Sequence, residues 1–311
     1  MESNFKLPIT NLALDQGPKS GKSSWIEARK FVTQAFEEYG CFLAVHDKFS
    51  SEVSDSIFLE LQDLFDLPLE IKVQNTSETP LFGYYGPNPS IPLYESTSIE
   101  DATNLEAVER FTKLMWHSKN DHFCEMFHSY AKKVAELNEM VSKMVFESYG
   151  VEKYHESHVG SVTYLVRFTK YRVPEQNETN LGVVPHTDKN FITILHQNEA
   201  NGLEVQLKNG SWISVDFPPS SLVIMAGDAF SAWSNGRVHS PFHRVNMNGK
   251  QIRYSIAQFS YCKKLVETPQ DLVDEEHPLL YKPFDNFGLL RFISTDEGRK
   301  TENQLKAYCG I

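Results

Sequence analysis

Apolar residues recur at helical spacing through much of the first half of the chain. In WIEARKFVTQAFEEYG, Ile26, Phe31, Val32, Ala35, Phe36 and Tyr39 share one face of a 3.6-residue period, which predicts a helix. Ser24 and Glu27 have capping-box spacing at its start, and Gly40 suits the position just past its end. A second helical pattern over about 50–64 uses Val53, Ile57, Phe58, Leu61 and Leu64, and stops before Pro68. A longer one, from about Asp121 to Tyr149, carries Met126, Phe127, Tyr130, Val134, Leu137, Val141, Met144 and Val145, with Gly150 as its stop. Stripes of this kind predict core packing. Between about 73 and 110 the periodicity fades into a segment rich in Pro, Gly and Ser with aromatics interspersed. Long loops of that kind often line a functional site, which makes Phe82, Tyr84 and Tyr85 candidates for a substrate wall.

The pattern changes near residue 160. Short runs rich in β-branched and aromatic residues follow one another: VTYLVRF, NFITILH, LEVQL, WISV, SLVIMAG, HRVNM and RYSIAQFS. Asn-Gly and Pro-Pro turn signals separate them, and strands at this spacing predict a sandwich or barrel. The chain thus divides into a mainly helical region over 1–155 that wraps the core, a β-core over 156–265, and a C-terminal extension over 266–311 with one short helix. The fold class is α+β.

Composition narrows the function. With 311 residues and 41% hydrophobic positions, the chain can bury a large core without disulfide staples. Its net charge of −11 repels phosphate backbones and anionic lipid heads, which argues against nucleic-acid and membrane-surface roles. Cys41, Cys124, Cys262 and Cys309 are scattered, as free thiols in a reducing compartment are. MESNFKLPIT lacks a basic region followed by an apolar run, and no apolar stretch reaches the roughly 18 residues of a membrane span. A cytoplasmic protein is expected.

The sharpest chemical feature is VVPHTDKNFITIL. His186 and Asp188 are two apart, so on an extended segment they share a face and can supply adjacent corners of a metal site. RVHSPFHRV then offers His239 and His243 as a third ligand. Two imidazoles and one carboxylate make the facial triad of non-haem Fe(II) oxygenases, with open positions for a bidentate cosubstrate and O2. Zinc prefers four-coordinate closure, and a zinc hydrolase needs a water-activating group, for which no HExxH is present. Arg253 and Ser255, again two apart, add a guanidinium fork and a hydroxyl suited to one end of a small dicarboxylate whose other end chelates the metal.

At these residues the chain resembles the plant 2-oxoglutarate- and Fe(II)-dependent dioxygenases. LPITNLAL, AFEEYGCFLAVH, FDLPLEIK, GLEVQLKNGSWISVDFPPSSLVIMAGD, WSNGRVHSPFHRV and RYSIAQF all fall in that family's order. Within it, MVFESYGVEKYHESHVGSVTYLVRFTKYRVP and IPLYES look most like the AOP-like subgroup, which includes alkenyl- and hydroxyalkyl-producing dioxygenases.

The resemblance implies a double-stranded β-helix (jelly-roll) core flanked by N-terminal helices. It implies Fe(II), 2-oxoglutarate and O2 as the reacting partners, with ascorbate as reductant. The family ligand sits in the HRV string, so His243 becomes the third ligand and His239 a neighbour. Tyr171 is implied as a hydroxyl donor to 2-oxoglutarate, with Thr169 standing where the family has Asn. Phe259 matches a position that stacks on the organic substrate, joining Phe82 and Tyr84. The expected activity is hydroxylation of a small plant specialised metabolite or hormone by a monomer. Auxin or gibberellin oxidation, desaturation on the same scaffold, and a catalytically silent binding barrel are the alternatives.

Overall fold

The structure is a computed structural model and describes residues 6–12, 22–117 and 120–311. The end of LPITNLAL and the first five residues of MESNFKLPIT lie outside the described residues.

Eleven strands occur among the described residues: β1 (Ile9–Asn11), β2 (Cys41–Val45), β3 (Tyr94–Ile99), β4 (Val162–Tyr171), β5 (Leu181–His186), β6 (Ile192–Gln197), β7 (Leu203–Gln206), β8 (Trp212–Ser214), β9 (Ser221–Ala226), β10 (His243–Asn246) and β11 (Arg253–Cys262). The larger sheet runs β1-β2-β9-β6-β11-β4-β3 and the smaller β5-β10-β7-β8. All pairings are antiparallel except β1 with β2. This is the expected jelly roll. Three of its strands, β1 to β3, come from the helix-rich N-terminal half.

The helices are α1 (Lys22–Glu38), α2 (Ser51–Asp66), α3 (Leu69–Lys72), α4 (Leu105–Met115), α5 (Asp121–Ser148), α6 (His155–Val159), α7 (Asp228–Trp233), α8 (Asn286–Ile293), α9 (Asp296–Lys300) and α10 (Gln304–Cys309). The long helix α5 buries its predicted stripe, including Phe127, Val134, Val141 and Val145, in one core with Phe168, Ile194 and Ile256 from the sheet. Phe127 meets Phe168 edge-on, with centroids 4.7 Å apart. Burying such side chains contributes roughly 1.5–3 kcal/mol each, which makes this layer the main source of stability.

The structure departs from the sequence pattern at four places. The first is the start of α1 at Lys22, two residues ahead of Ser24. Second, β3 and α4 begin within the segment expected to be loop. The strand YESTSI shows no hydrophobic alternation because three of its four buried side chains, Ser96, Thr97 and Ser98, are hydroxyls. Thr97 accepts from Asn75 at 2.8 Å and Ser98 from the Gly83 amide at 2.9 Å, so loop residues satisfy them. Third, β5 forms although Pro185 interrupts its apolar run. Fourth, the C-terminal extension carries three short helices instead of one.

Gly40 does more than end α1. Its φ is +73°, and a Cβ there would lie 2.4 Å from the His239 carbonyl. The chain passing over it is the one that leads into β10. Helix termination and placement of His243 are therefore linked at one residue.

Candidate active site

The register of two strands brings the first cluster together. On β5 and β10, His186 and His243 are directly opposed, with ring centroids 4.2 Å apart. Asp188 follows two residues after His186, and its Oδ1 is 3.8 Å from the Nε2 of each histidine. These separations are too long for hydrogen bonds. The three donors surround a gap, all within 4.8 Å of one another. His239 is not part of this cluster; its amide donates to the Phe36 carbonyl at 3.0 Å.

Neighbouring groups aim these donors. His186 Nδ1 faces the Val184 carbonyl at 2.9 Å and His243 Nδ1 the Pro241 carbonyl at 3.3 Å, which assigns the ring protons to Nδ1 and leaves both Nε2 lone pairs for the gap. Burial lowers the pKa of His186 and keeps it neutral, the form that ligates a metal. Thr193 Oγ1 donates to Asp188 Oδ2 at 2.5 Å, so Oδ1 is the oxygen presented. Asp228, buried at the start of α7, accepts from Thr187 at 3.0 Å, Lys189 at 2.8 Å and Ser240 at 2.7 Å. It therefore ties the segment carrying His186 and Asp188 to the one leading into His243.

The second cluster is a buried cation. Arg253 is 1% exposed, and its register partner on β4 is Tyr171, whose ring centroid lies 4.9 Å from the guanidinium carbon. Ser255, two residues on, is flanked across the ladder by Thr169 and Gln197. Arg253 Nε and Nη2 donate to Gln197 Oε1 at 3.1 and 2.9 Å, and Nη1 to Ser255 at 3.4 Å. These partners are all neutral, and no carboxylate lies within ion-pair distance among the described residues. An isolated buried charge is costly unless a counter-charge reaches it. Burial pushes the Arg253 pKa down, with Tyr171 acting in the opposite direction. A Cβ on Gly182 would meet the Tyr171 ring at 2.8 Å, so β5 passes closely over this end of the site.

Both clusters open into one cavity of about 420 Å³ between the sheets. Phe82 and Phe259 line it, and Phe82 packs on Tyr261 at 5.4 Å. Tyr84 is not among the lining residues. After the turn at Gly83 (φ +76°) its hydroxyl donates to Glu95 at 2.9 Å, and Tyr85 lines the cavity in its place. Leu290 and Ile293 from α8 and Gln304 from α10 close the far end. Nothing in the C-terminal sequence marked them.

This arrangement sets three donors able to ligate a metal and a buried guanidinium able to receive a carboxylate on one cavity fit for a small molecule, which is the logic of an oxoacid-dependent oxygenase. The 2OG-Fe(II) oxygenase superfamily profile matches residues 161–261, and that of the non-haem dioxygenase in morphine synthesis N-terminal region matches 7–93. The probable 2-oxoglutarate-dependent dioxygenase AOP1.2 of Arabidopsis thaliana is 42% identical over 316 residues, covering 99% of this chain and 97% of the relative. The chain belongs to the 2-oxoglutarate- and Fe(II)-dependent dioxygenases.

Other members fit the same frame. The 2-oxoglutarate-dependent dioxygenase AOP3 of the same plant is 32% identical, over 98% of both chains. The structure of the Arabidopsis thaliana dioxygenase for auxin oxidation 1, in binary complex with 2-oxoglutarate, superposes with a TM-score of 0.79 at 30% identity, over 88% of this chain and 99% of that one. The protein is thus a dioxygenase that uses Fe(II), 2-oxoglutarate and O2. No helix among the described residues is long and apolar enough to cross a membrane.

Proposed function

We propose that this dioxygenase hydroxylates a small organic plant metabolite or hormone, with His186, Asp188 and His243 holding Fe(II). Arg253 carries the reading, because a guanidinium buried without a carboxylate partner is matched by the distal carboxylate of 2-oxoglutarate. Two neutral imidazoles and one carboxylate fit Fe(II) and leave positions for a chelating oxoacid. When bound, the iron with 2-oxoglutarate and O2 supplies the oxidising power, and the oxoacid leaves as succinate and CO2.

The protein's own contribution is orientation and exclusion of water. Ser255 and Tyr171 complete the clamp around the distal carboxylate beside Arg253. Thr193 keeps Asp188 turned to present Oδ1. Phe82, Phe259, Leu290 and Ile293 form an apolar wall that holds a C–H bond near the metal. The likeness to an auxin-oxidising dioxygenase supports an auxin-type acid as a second reading of the substrate. Four buried, unpaired cysteines support a reducing compartment, and a cytoplasmic monomer completes the proposal.

The test is aerobic incubation of the Fe(II)-loaded protein with 2-oxoglutarate, ascorbate and a plant metabolite extract. Succinate formed together with a product one oxygen heavier is the expected result. A product two hydrogens lighter would reassign the outcome to desaturation. No succinate despite full iron loading would contradict the proposal.

A further inference from the structure

The cavity contains a second guanidinium that the dioxygenase chemistry leaves without a role. Arg167 lies on β4 and lines the cavity on the same face as Thr169 and Tyr171. Four residues separate it from Tyr171, the register partner of Arg253, so the two arginine-bearing rungs are about 13 Å apart along the strand. Its own partner on β11 is Ala257, a small residue that leaves room in front of it.

A guanidinium has five N–H donors. Arg167 Nη1 donates to the Tyr94 hydroxyl at 3.4 Å and to Ser96 Oγ at 3.2 Å, and Nη2 donates to the Leu81 carbonyl. That leaves Nε and one N–H of Nη2 without a hydrogen bond among the described residues, two donors for the two oxygens of a carboxylate. No carboxylate of the described residues lies within ion-pair distance of it. Leu81 is itself held at φ +70°, an unfavourable backbone conformation for leucine, with its carbonyl turned to the arginine. The walls beside Arg167 are apolar and aromatic: Phe82, Leu165 and Tyr261.

We propose that Arg167 is the specificity-determining residue for a carboxylate on the prime substrate, whose apolar or aromatic body lies against Phe82, Leu165 and Tyr261. These two free donors match a carboxylate bidentately. 2-Oxoglutarate has two carboxylates, one spent on the metal and one on Arg253, so this cation serves a second molecule. The inference rests on the dioxygenase reading for that assignment alone. The protein's net charge of −11 opposes an approaching anion at long range, so recognition of an acid has to be local, as a single enclosed arginine is.

The test measures binding, not turnover. Mn(II)-loaded protein saturated with 2-oxoglutarate is titrated with indole-3-acetate, benzoate and cinnamate, each against its primary amide. At least one acid should bind roughly tenfold or more tightly than its amide. Arg167→Gln should abolish that preference while leaving 2-oxoglutarate affinity unchanged, and Arg167→Lys should restore part of it.

Amides that bind as well as their acids in the wild-type protein would overturn the proposal, whatever the variants do. So would an Arg167→Gln protein that keeps the acid preference, or one that loses 2-oxoglutarate binding instead. Acid preference in a protein that ignores 2-oxoglutarate would sink the dioxygenase assignment of Arg253 and still support the anion site.

Discussion

Alternate residues of β4 and β11 belong to different environments. On the outer face, Val166, Phe168, Tyr254 and Ile256 are buried against the helices in a dry, aromatic layer. On the inner face, Arg167, Thr169, Tyr171, Arg253 and Ser255 line the cavity with hydroxyls and cations. The backbone is shared and only the direction of the side chains differs. One face carries most of the stability and the other bears the chemistry, so substitutions on the two faces should produce separable defects.

The largest effect is expected on the inner face. Asp188→Ala should abolish iron retention and lower turnover by roughly a thousandfold or more, about 4 kcal/mol, with little change in melting temperature. Iron content and succinate formation measured together check it. Oxidation with stoichiometric iron would move the carboxylate ligand elsewhere.

On the outer face, Phe168→Ala should destabilise the fold by about 3–5 kcal/mol in denaturant titration. The folded fraction should retain its 2-oxoglutarate requirement. A changed requirement with unchanged stability would mean that the two faces are not separable.

Arg253→Lys keeps the charge and loses the fork. The 2-oxoglutarate concentration for half-maximal rate should rise roughly tenfold to a hundredfold, equivalent to about 1.5–3 kcal/mol. Thr193→Val is the mildest change, near-isosteric and lacking only the hydroxyl that orients Asp188. It should weaken iron retention roughly tenfold with stability nearly intact. Equal iron affinity would remove Thr193 from the site's supporting cast.

The same two faces explain what the sequence could disclose. His186 with Asp188, and Arg253 with Ser255, were legible because two-residue spacing on an extended chain is itself a statement about shared faces. The helical stripes of α1, α2 and α5 were legible for the corresponding reason at a period of 3.6, apart from Ile26 and Val53, which are exposed.

Gln197 and Thr193 were not. Thr193 reaches Asp188 across five residues of its own segment, where one threonine in an apolar strand carries no signal, whereas Gln197 reaches Arg253 through the pairing of β6 with β11, where it opposes Ser255. Pairing register is a non-local property, and no short string of residues encodes it. Asp228 closes the string SLVIMAGD, yet the three side chains that donate to it come from two separate segments. Tyr84 was misplaced because one residue of loop direction after Gly83 decides whether a phenol faces the cavity or Glu95. Leu290 and Ile293 lie on a short amphipathic helix whose apolar face is the same whether it covers core or cavity.

The most direct test of the central claim, that the inner face holds 2-oxoglutarate between the metal ligands and Arg253, is its affinity measured anaerobically by calorimetry with and without Fe(II). The account predicts much tighter binding to the iron-loaded protein, with the iron bound correspondingly tighter in the presence of the oxoacid. Equal affinity with and without iron would contradict it, because the oxoacid would then be held by the protein alone.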